Sequence, residues 1–143
     1  PNQKEKQLFT AVLKGMIDVF LYEWQDATGK DIDAIARKPL NDLGYDFAHS
    51  TGHGVGYALN VHEGPIRLSA AYDLPILPGM VLSIEPGVYL DNEFGIRIEN
   101  LAVVRERDGL KYFETLTRVP IQESLIDFTV LSDDERKWLD KYL

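Results

Sequence analysis

The chain of 143 residues has no cysteine, which excludes disulfide bonds and thiolate metal sites. It also lacks any apolar run near the roughly 20 residues that a membrane-spanning helix requires, and it carries no signal-peptide pattern. Basic residues are few, with 15 Lys and Arg against 23 Asp and Glu. A net charge of −8 offers phosphates no basic surface. We therefore expect a cytoplasmic protein with neither a nucleic-acid nor a membrane partner.

The first part of the chain has a helical pattern. A hydrophobic content of 45% and a charged content of 27% are typical of one globular domain. Apolar residues at helical spacing predict a first helix over about 5–26, followed by a break at Thr28, Gly29 and Lys30. Asp31 is the predicted N-cap of a second helix, which Gly44 ends.

The later part of the chain changes to a strand pattern. The β-branched segments 80–90 and 95–104 predict a β-hairpin, and 111–121 predicts another strand. Ser132 and Glu135 form a capping-box pattern that predicts a short last helix. Two helices, then antiparallel strands, then a helix indicate an α+β fold with segregated elements.

The hairpin predicts a pair of facing carboxylates. If the turn is centred on Asn92, Glu85 faces Glu99, because Asn92 lies midway between them. Adjacent carboxylates repel each other unless one is protonated or a cation lies between them. Both have apolar neighbours in sequence, so we expect both to be buried, and burial favours a bound metal ion. The alternatives are a bulge that changes the register, exposure to solvent, or pairing with Arg97 or Arg105.

All three histidines lie in one glycine-rich stretch, HSTGHGVGYALNVHEGP, from His49 to Pro65. His53 lies between two glycines, which leave its imidazole unobstructed. A histidine nitrogen with two carboxylates suits Mn²⁺, Co²⁺, Fe²⁺ or Zn²⁺. The alternative for His49, His53 and His62 is an ordinary hydrogen-bonded position in the sheet. Their proximity in sequence to the carboxylate pair favours His53 as a third ligand.

Four motifs in this order resemble the Xaa-Pro aminopeptidases (aminopeptidase P) of the pita-bread metallopeptidase family M24. They are TGHGVG (51–56), NVHEGP (60–65), PGMVLSIEPGVY (78–89) and GIRIENLAVV (95–104). The resemblance covers nearly the whole chain. It implies that 1–143 form the C-terminal half of a pita-bread catalytic domain, with about 118–143 as the family's C-terminal extension. The implied activity is removal of the N-terminal residue from peptides with proline in second position.

The resemblance also implies the metal ligands. His53, Glu85 and Glu99 match three of the family's five ligands, and Glu99 matches the carboxylate that bridges two metal ions. The implied cofactor is a pair of divalent ions, with Mn²⁺ expected and Zn²⁺ or Co²⁺ as alternatives. Glu85 matches the catalytic ligand that also carries a proton from the attacking water to the leaving amine.

Three further residues are implied to contact the substrate. His62 matches the catalytic histidine that binds near the scissile carbonyl, and His49 matches the histidine that lines the pocket beside it. Arg97 occupies the arginine position of the GIRIEN motif, where it contacts the substrate or supports a ligand. The implied partner is a peptide with proline in second position.

The family's other two ligands are aspartates upstream of the first helix, and this sequence starts after that point. Asp31 and Asp42 have a similar spacing, but their surroundings are helical, so we do not assign them as ligands. We therefore expect the isolated chain to hold two metal ions poorly and to be nearly inactive. An apolar face exposed in such a half-domain predicts a homodimer. The alternatives are a non-catalytic binding module and another pita-bread hydrolase, such as a prolidase or a methionine aminopeptidase.

Overall fold

Two helices open the chain in the computed structural model, which describes residues 1–56 and 61–143. They are α1 (Gln3–Leu21) and α2 (Gly29–Asp42), and a third helix, α3 (Asp133–Tyr142), closes the chain. Between them lie β1 (Gly52–Gly54), β2 (Glu63–Leu68), β3 (Val81–Ile84), β4 (Gly87–Leu90), β5 (Phe94–Arg97), β6 (Asn100–Arg107) and β7 (Leu110–Thr115). Short 3₁₀ turns at Glu123–Leu125 and Phe128–Val130 precede α3.

The first helix is shorter than the predicted span of about 5–26. Helix α1 ends at Leu21, and Tyr22 is already extended. Trp24 is buried, but it pairs with Lys111 through two backbone hydrogen bonds of 3.0 and 2.7 Å. Pairing with strand β7 therefore ends the helix before its apolar pattern ends.

The predicted N-cap of the second helix was wrong. Thr28 is the N-cap, and Asp31 lies three residues inside, where its carboxylate accepts the Thr28 N–H at 2.9 Å. Gly29 begins the helix rather than breaking the chain. A Cβ there would lie 2.1 Å from the Arg67 carbonyl oxygen, so only glycine fits. Helix α2 continues through Pro39 and ends as predicted before Gly44, whose φ is +86°.

Helix α1 packs against α2 at close range. Glycine at position 15 permits this, since a Cβ there would lie 2.2 Å from the Ala36 carbonyl oxygen. Among the described residues, five strands form one antiparallel sheet in the order β2-β1-β3-β6-β7, and β4 pairs with β5 separately. Fully buried side chains of α1, α2 and the sheet include Leu8, Leu13, Met16, Ile17, Ile32, Leu40, Leu68, Leu82 and Ile84. The helices therefore cover a sheet that presents the candidate site.

The predicted register of the hairpin is confirmed. Val81 pairs with Val103 and Ile84 with Asn100, and the same register continues from β4 into β5 with no bulge. The hairpin nevertheless belongs to two sheets, because the ladder is interrupted between β3 and β4 and between β5 and β6. Glu85 and Glu99 lie at these two interruptions, and each is more exposed than the residues on either side of it.

Only the first part of the strand predicted over 111–121 is observed, as β7. The following residues leave the sheet because the buried Asn100 side chain binds them. Its oxygen accepts from the Thr117 hydroxyl at 3.0 Å and from the Val119 N–H at 2.9 Å, while its amide donates to the Tyr142 hydroxyl. Hydrogen bonds from Thr117 and Val119 to Asn100 thus hold this segment next to Glu99.

Helix α3 begins with the predicted capping box, in which the Ser132 hydroxyl accepts the Glu135 N–H at 3.1 Å. No helix among the described residues has the length and apolar character required to cross a membrane.

Two carboxyl groups meet where α3 packs on α1. Burial and the adjacent Glu135 carboxylate raise the pKa of Asp18 to about 8, and Lys14 contacts Glu135 at 3.3 Å. Because the pKa is higher in the folded state than in the unfolded state, the stabilising contribution is complete below the ordinary pKa of 3.8 and is lost as the pH rises from there to about 8.

We expect Asp18→Asn to stabilise the fold at alkaline pH, because the amide removes the charge and keeps the shape. The free energy of unfolding rises by roughly 1–2 kcal/mol at pH 9, less than the full pKa shift would give because solvent screens the half-buried Asp18, and the gain disappears near pH 4. Urea unfolding at both pH values measures it. Asp140→Asn, which changes an exposed carboxylate paired with Arg136, serves as the control without such a pH-dependent gain. An equal gain for Asp18→Asn at both pH values contradicts the assignment.

Candidate metal centre

Three separated segments bring His53, Glu85 and Glu99 together. His53 lies on β1, Glu85 follows β3, and Glu99 precedes β6. One potential ligand atom from each lies within 4.8 Å of the other two, and the three residues form the candidate cluster among the described residues. The His53 Nε2 lies 3.3 Å from the Glu85 Oε2.

The hydrogen bonds of His53 fix which nitrogen faces the carboxylates. Its Nδ1 lies 2.8 Å from the Gly54 carbonyl oxygen, which can only accept, so Nδ1 carries a proton. In the neutral ring the Nε2 lone pair therefore faces Glu85, and only a proton or a cation between the two atoms makes that contact favourable. A histidine whose other nitrogen is held by a carbonyl is the usual arrangement of a metal-binding imidazole.

The backbone of the cluster is also held. The His53 N–H donates to the Ser83 hydroxyl at 3.1 Å, and the Glu85 N–H donates to the Thr51 carbonyl at 2.7 Å. Ser83 and Thr51 are fully buried. Two of the three candidate ligands therefore have fixed main-chain positions.

The expectation that both carboxylates are buried was wrong for Glu99. Glu85 is half-buried, whereas Glu99 is exposed and only its neighbours Ile98 and Asn100 are buried. Because side chains alternate along the chain here, Glu99 lies on the face opposite to the buried Ile98 and Asn100. Partial desolvation and the nearby Glu85 carboxylate still raise the pKa of Glu99, so the repulsion that a cation would relieve is present.

The alternative ion pairs of Glu85 or Glu99 with Arg97 or Arg105 are not observed among the described residues. Arg105 binds Glu114 at 2.7 Å on the outer face of the sheet. Arg97 donates from its Nε to the Tyr89 hydroxyl at 2.7 Å. This bond and the charges of Glu85 and Glu99 hold the pKa of Arg97 above its ordinary value.

Tyr89 connects two predicted substrate-contacting residues. The His49 Nε2 lies 2.7 Å from the Tyr89 hydroxyl, and the His49 Nδ1 lies 2.8 Å from the Ser50 carbonyl oxygen. Because that carbonyl can only accept, Nδ1 carries the proton in neutral His49, and the Tyr89 hydroxyl donates to Nε2. Arg97, Tyr89 and His49 thus form one polar row beside the cluster.

The interpretation of the sequence missed Tyr89. It lies on β4 and is 44% exposed, so alternation alone assigns it to a solvent-facing position. Its place in the PGVY motif, four residues after Glu85, was the available signal.

His62 lies directly against the cluster. Its ring centroid is 4.2 Å from that of His53, with an angle of 32° between the ring planes. The side chain is exposed and so is accessible to a ligand. Residues 57–60 of the glycine-rich stretch lie outside the described residues.

The donor set fits a divalent metal ion. One imidazole nitrogen and two carboxylates are ligands that Mn²⁺, Zn²⁺ and Co²⁺ accept, and the exposed side at Glu99 leaves space for additional ligands. Asp31 and Asp42 do not contribute, because both lie on the exposed face of α2.

Comparisons with known proteins show the family to which the chain belongs. Residues 1–106 match metallopeptidase family M24, and residues 110–143 match the C-terminal region of peptidase M24. A probable Xaa-Pro aminopeptidase P of Laccaria bicolor is 44% identical over 155 residues, and the match covers 99% of this chain and 24% of that protein.

Two solved structures share the fold. The X-prolyl aminopeptidase of Caenorhabditis elegans, described as a cytosolic enzyme with a di-nuclear active site, matches with a TM-score of 0.93 at 39% identity. That match covers 99% of this chain and 24% of the other chain. An Xaa-Pro dipeptidase from Bacillus anthracis matches with a TM-score of 0.73 at 34% identity, covering 85% of this chain and 33% of the other.

The predicted α+β architecture, as part of a pita-bread fold, is thereby confirmed. The chain spans about a quarter of the length of the curated relatives that it matches. Since the M24 match covers most of its residues, the chain belongs to metallopeptidase family M24.

Proposed function

We propose that the full-length protein is a metal-dependent aminopeptidase that removes the N-terminal residue from peptides with proline in second position. The observation that carries the proposal is the convergence of His53, Glu85 and Glu99 within 4.8 Å. Membership of family M24 and the names of the matched relatives support the reaction class. A binding module that had lost catalysis has no need to keep three ligand-type residues in this geometry.

His53, Glu85 and Glu99 would hold divalent ions, which we propose to be Mn²⁺, with Glu99 as one of the two carboxylate ligands. When bound, the ions would supply Lewis-acid polarisation of a carbonyl and a more acidic water. The di-nuclear site described for the C. elegans enzyme supports a pair of ions. A pair of ions requires ligands in addition to these three residues.

The residues of this chain have separate tasks in the proposed reaction. Glu85 accepts a proton from the attacking water and delivers it to the amine that leaves, because its carboxylate is half-buried beside His53. His62 lies against the same ring and is exposed, so it can donate to the oxygen of the scissile carbonyl. His49 and Arg97, joined through Tyr89, line the adjacent wall for the substrate.

We assign the whole of 1–143 to the C-terminal part of the catalytic domain, with about 118–143 as its C-terminal extension. The match of the last residues to the C-terminal region of peptidase M24 supports this division. A cytoplasmic location is proposed on the description of the C. elegans relative as cytosolic.

The experiment compares three substrates on the full-length protein with Mn²⁺: the dipeptide Ala-Pro, an Ala-Pro-Xaa peptide and a Met-Ala-Xaa peptide. The proposal expects release of alanine from Ala-Pro-Xaa as the fastest reaction. Preference for Ala-Pro identifies a dipeptidase, the activity named for the B. anthracis relative, and preference for Met-Ala-Xaa identifies a methionine aminopeptidase. Either preference, or no cleavage, contradicts the proposal.

We also infer that the protein forms a homodimer, since large apolar side chains remain at the surface. Among the described residues, those at least 45% exposed are Val61, Leu74, Leu77, Leu116, Val130 and Leu143. Burial of such surface favours association. Light scattering is expected to give the mass of two chains at high protein concentration. A monomer at the same concentration contradicts the inference.

A further inference from the structure

Arg37, on the inner side of α2, uses its whole guanidinium to hold the segment before β1. Its Nε lies 2.9 Å from both oxygens of Asp33, and its Nη1 donates to Asp46 at 2.8 Å and to the Phe47 carbonyl at 2.6 Å. Its Nη2 donates to the His49 carbonyl at 2.7 Å. The Phe47 ring covers the guanidinium, with Cζ 4.0 Å from the ring centroid. The backbone around His49 is therefore fixed to the helix at several points.

Asp33 extends this contact toward the candidate ligands. The Thr51 hydroxyl donates to the Asp33 carboxylate at 2.7 Å, and the Thr51 carbonyl accepts the Glu85 N–H at 2.7 Å. Asp33 is 3% exposed and Thr51 is fully buried. A continuous row of hydrogen bonds thus runs from α2 to the backbone of Glu85.

We propose that Arg37 is a positioning residue. Together with Asp33 and Thr51, it fixes the backbone positions of His49 and Glu85 that the proposed reaction requires. The proposal rests on the proposed function for its kinetic consequence, but not for its structural one. Neither Arg37 nor Asp33 touches the candidate ligand atoms, so both act through the main chain of other residues.

An ordinary helix ion pair would not have these features. The neighbouring pair Lys38 and Asp42 has the same spacing on the same helix, but its side chains are 74% and 62% exposed. The side chains of Arg37 and Asp33 are 16% and 4% exposed. Exposed helix pairs contribute little, whereas a buried guanidinium binds several acceptors in a fixed plane that lysine cannot reproduce.

The structural test observes His49 in this chain by ¹⁵N NMR of the histidine side chains. Wild type is expected to show one His49 tautomer, protonated at Nδ1 and accepting from Tyr89 at Nε2. Arg37→Lys is expected to shift these resonances toward a tautomer mixture. Lys38→Gln, on the same helix, is the matched control and leaves them unchanged. An Arg37→Lys spectrum with wild-type His49 resonances overturns the proposal.

The kinetic test uses Thr51 in the full-length protein, because its hydroxyl can be removed with little change of shape. Thr51→Val is expected to lower kcat by roughly 10–100-fold with a smaller change in KM, and Thr51→Ser, which keeps the hydroxyl, to restore kcat. Equal kcat values for the two variants overturn the positioning role. If wild type cleaves none of the three peptides, the proposed function fails, and the His49 spectra still decide the structural part.

Discussion

Glu85→Gln is expected to abolish turnover of an Ala-Pro-Xaa peptide by the full-length protein while the fold survives. Glutamine keeps the size of the side chain but cannot accept and return a proton, and general acid–base catalysis alone is worth roughly 10²–10⁴-fold. The amide is also a weaker metal ligand than the carboxylate that lies 3.3 Å from His53. We therefore expect kcat to fall by about 10³-fold or more, measured by alanine release under saturating Mn²⁺.

A matched control separates this effect from a general change in charge. Glu114→Gln removes one carboxylate from the exposed ion pair with Arg105, where little energy is at stake, and we expect activity like that of wild type. Thermal unfolding should place both variants close to wild type. Activity of Glu85→Gln comparable to that of Glu114→Gln would remove Glu85 from the proton-transfer role.

Of the substitutions proposed, Gly52→Ala is expected to lower the free energy of unfolding the most. An alanine Cβ at this position would lie 1.9 Å from the Ser83 carbonyl oxygen and 3.2 Å from the Leu68 side chain. The first neighbour is backbone of β3, so the two strands must separate to relieve the contact. Overpacking typically costs about 1–3 kcal/mol, occasionally more, and we expect a loss of about 3 kcal/mol in the free energy of unfolding.

Urea unfolding of the chain measures this loss. Gly64→Ala is the control, because a Cβ there meets no atom within 4 Å and its φ is not in the left-handed region. We expect that variant to lose far less stability than Gly52→Ala. Gly52→Ala should also weaken metal binding, since the hydroxyl of Ser83 holds the His53 N–H. Equal stabilities of the two variants would contradict the close approach of β1 and β3.

The sequence was informative about pairing because the hairpin is local. The midpoint at Asn92 determined every pair from Val81 with Val103 to Leu90 with Phe94. It could not indicate that the hairpin is shared between two sheets, since the ladder is interrupted without any change in the register. The burial of Glu99 was predicted wrongly because its apolar neighbours in sequence were taken as its surroundings, whereas alternation places it on the face opposite to the buried Ile98 and Asn100.

Helix ends were predicted less well, for tertiary reasons. The apolar pattern past Leu21 is real, because Trp24 is buried, but its backbone pairs with Lys111 far along the chain. Asp31 and Thr28 are both good N-cap residues, and the reciprocal capping box selects Thr28. Contacts distant in sequence decided the first case and side-chain geometry the second.

The candidate site was accessible from the sequence only in part. His53, Glu85 and Glu99 could be proposed from residue types and from the resemblance of four motifs. The residues that position these side chains could not be proposed, because in sequence each has the pattern of a common surface residue. Tyr89 looks like an exposed strand residue, and Arg37 looks like half of a solvated helix ion pair. Only their partners in space, His49 above all, distinguish them.

The central claim is that His53, Glu85 and Glu99 bind one side of a metal centre. Anomalous diffraction at the manganese edge, from crystals of the full-length protein grown with Mn²⁺, tests it most directly. We expect a peak at roughly 2.0–2.3 Å from the His53 Nε2 and from a carboxylate oxygen of each glutamate. A peak elsewhere, or no peak while the His53 Nε2 keeps its contact with Glu85, would contradict the account.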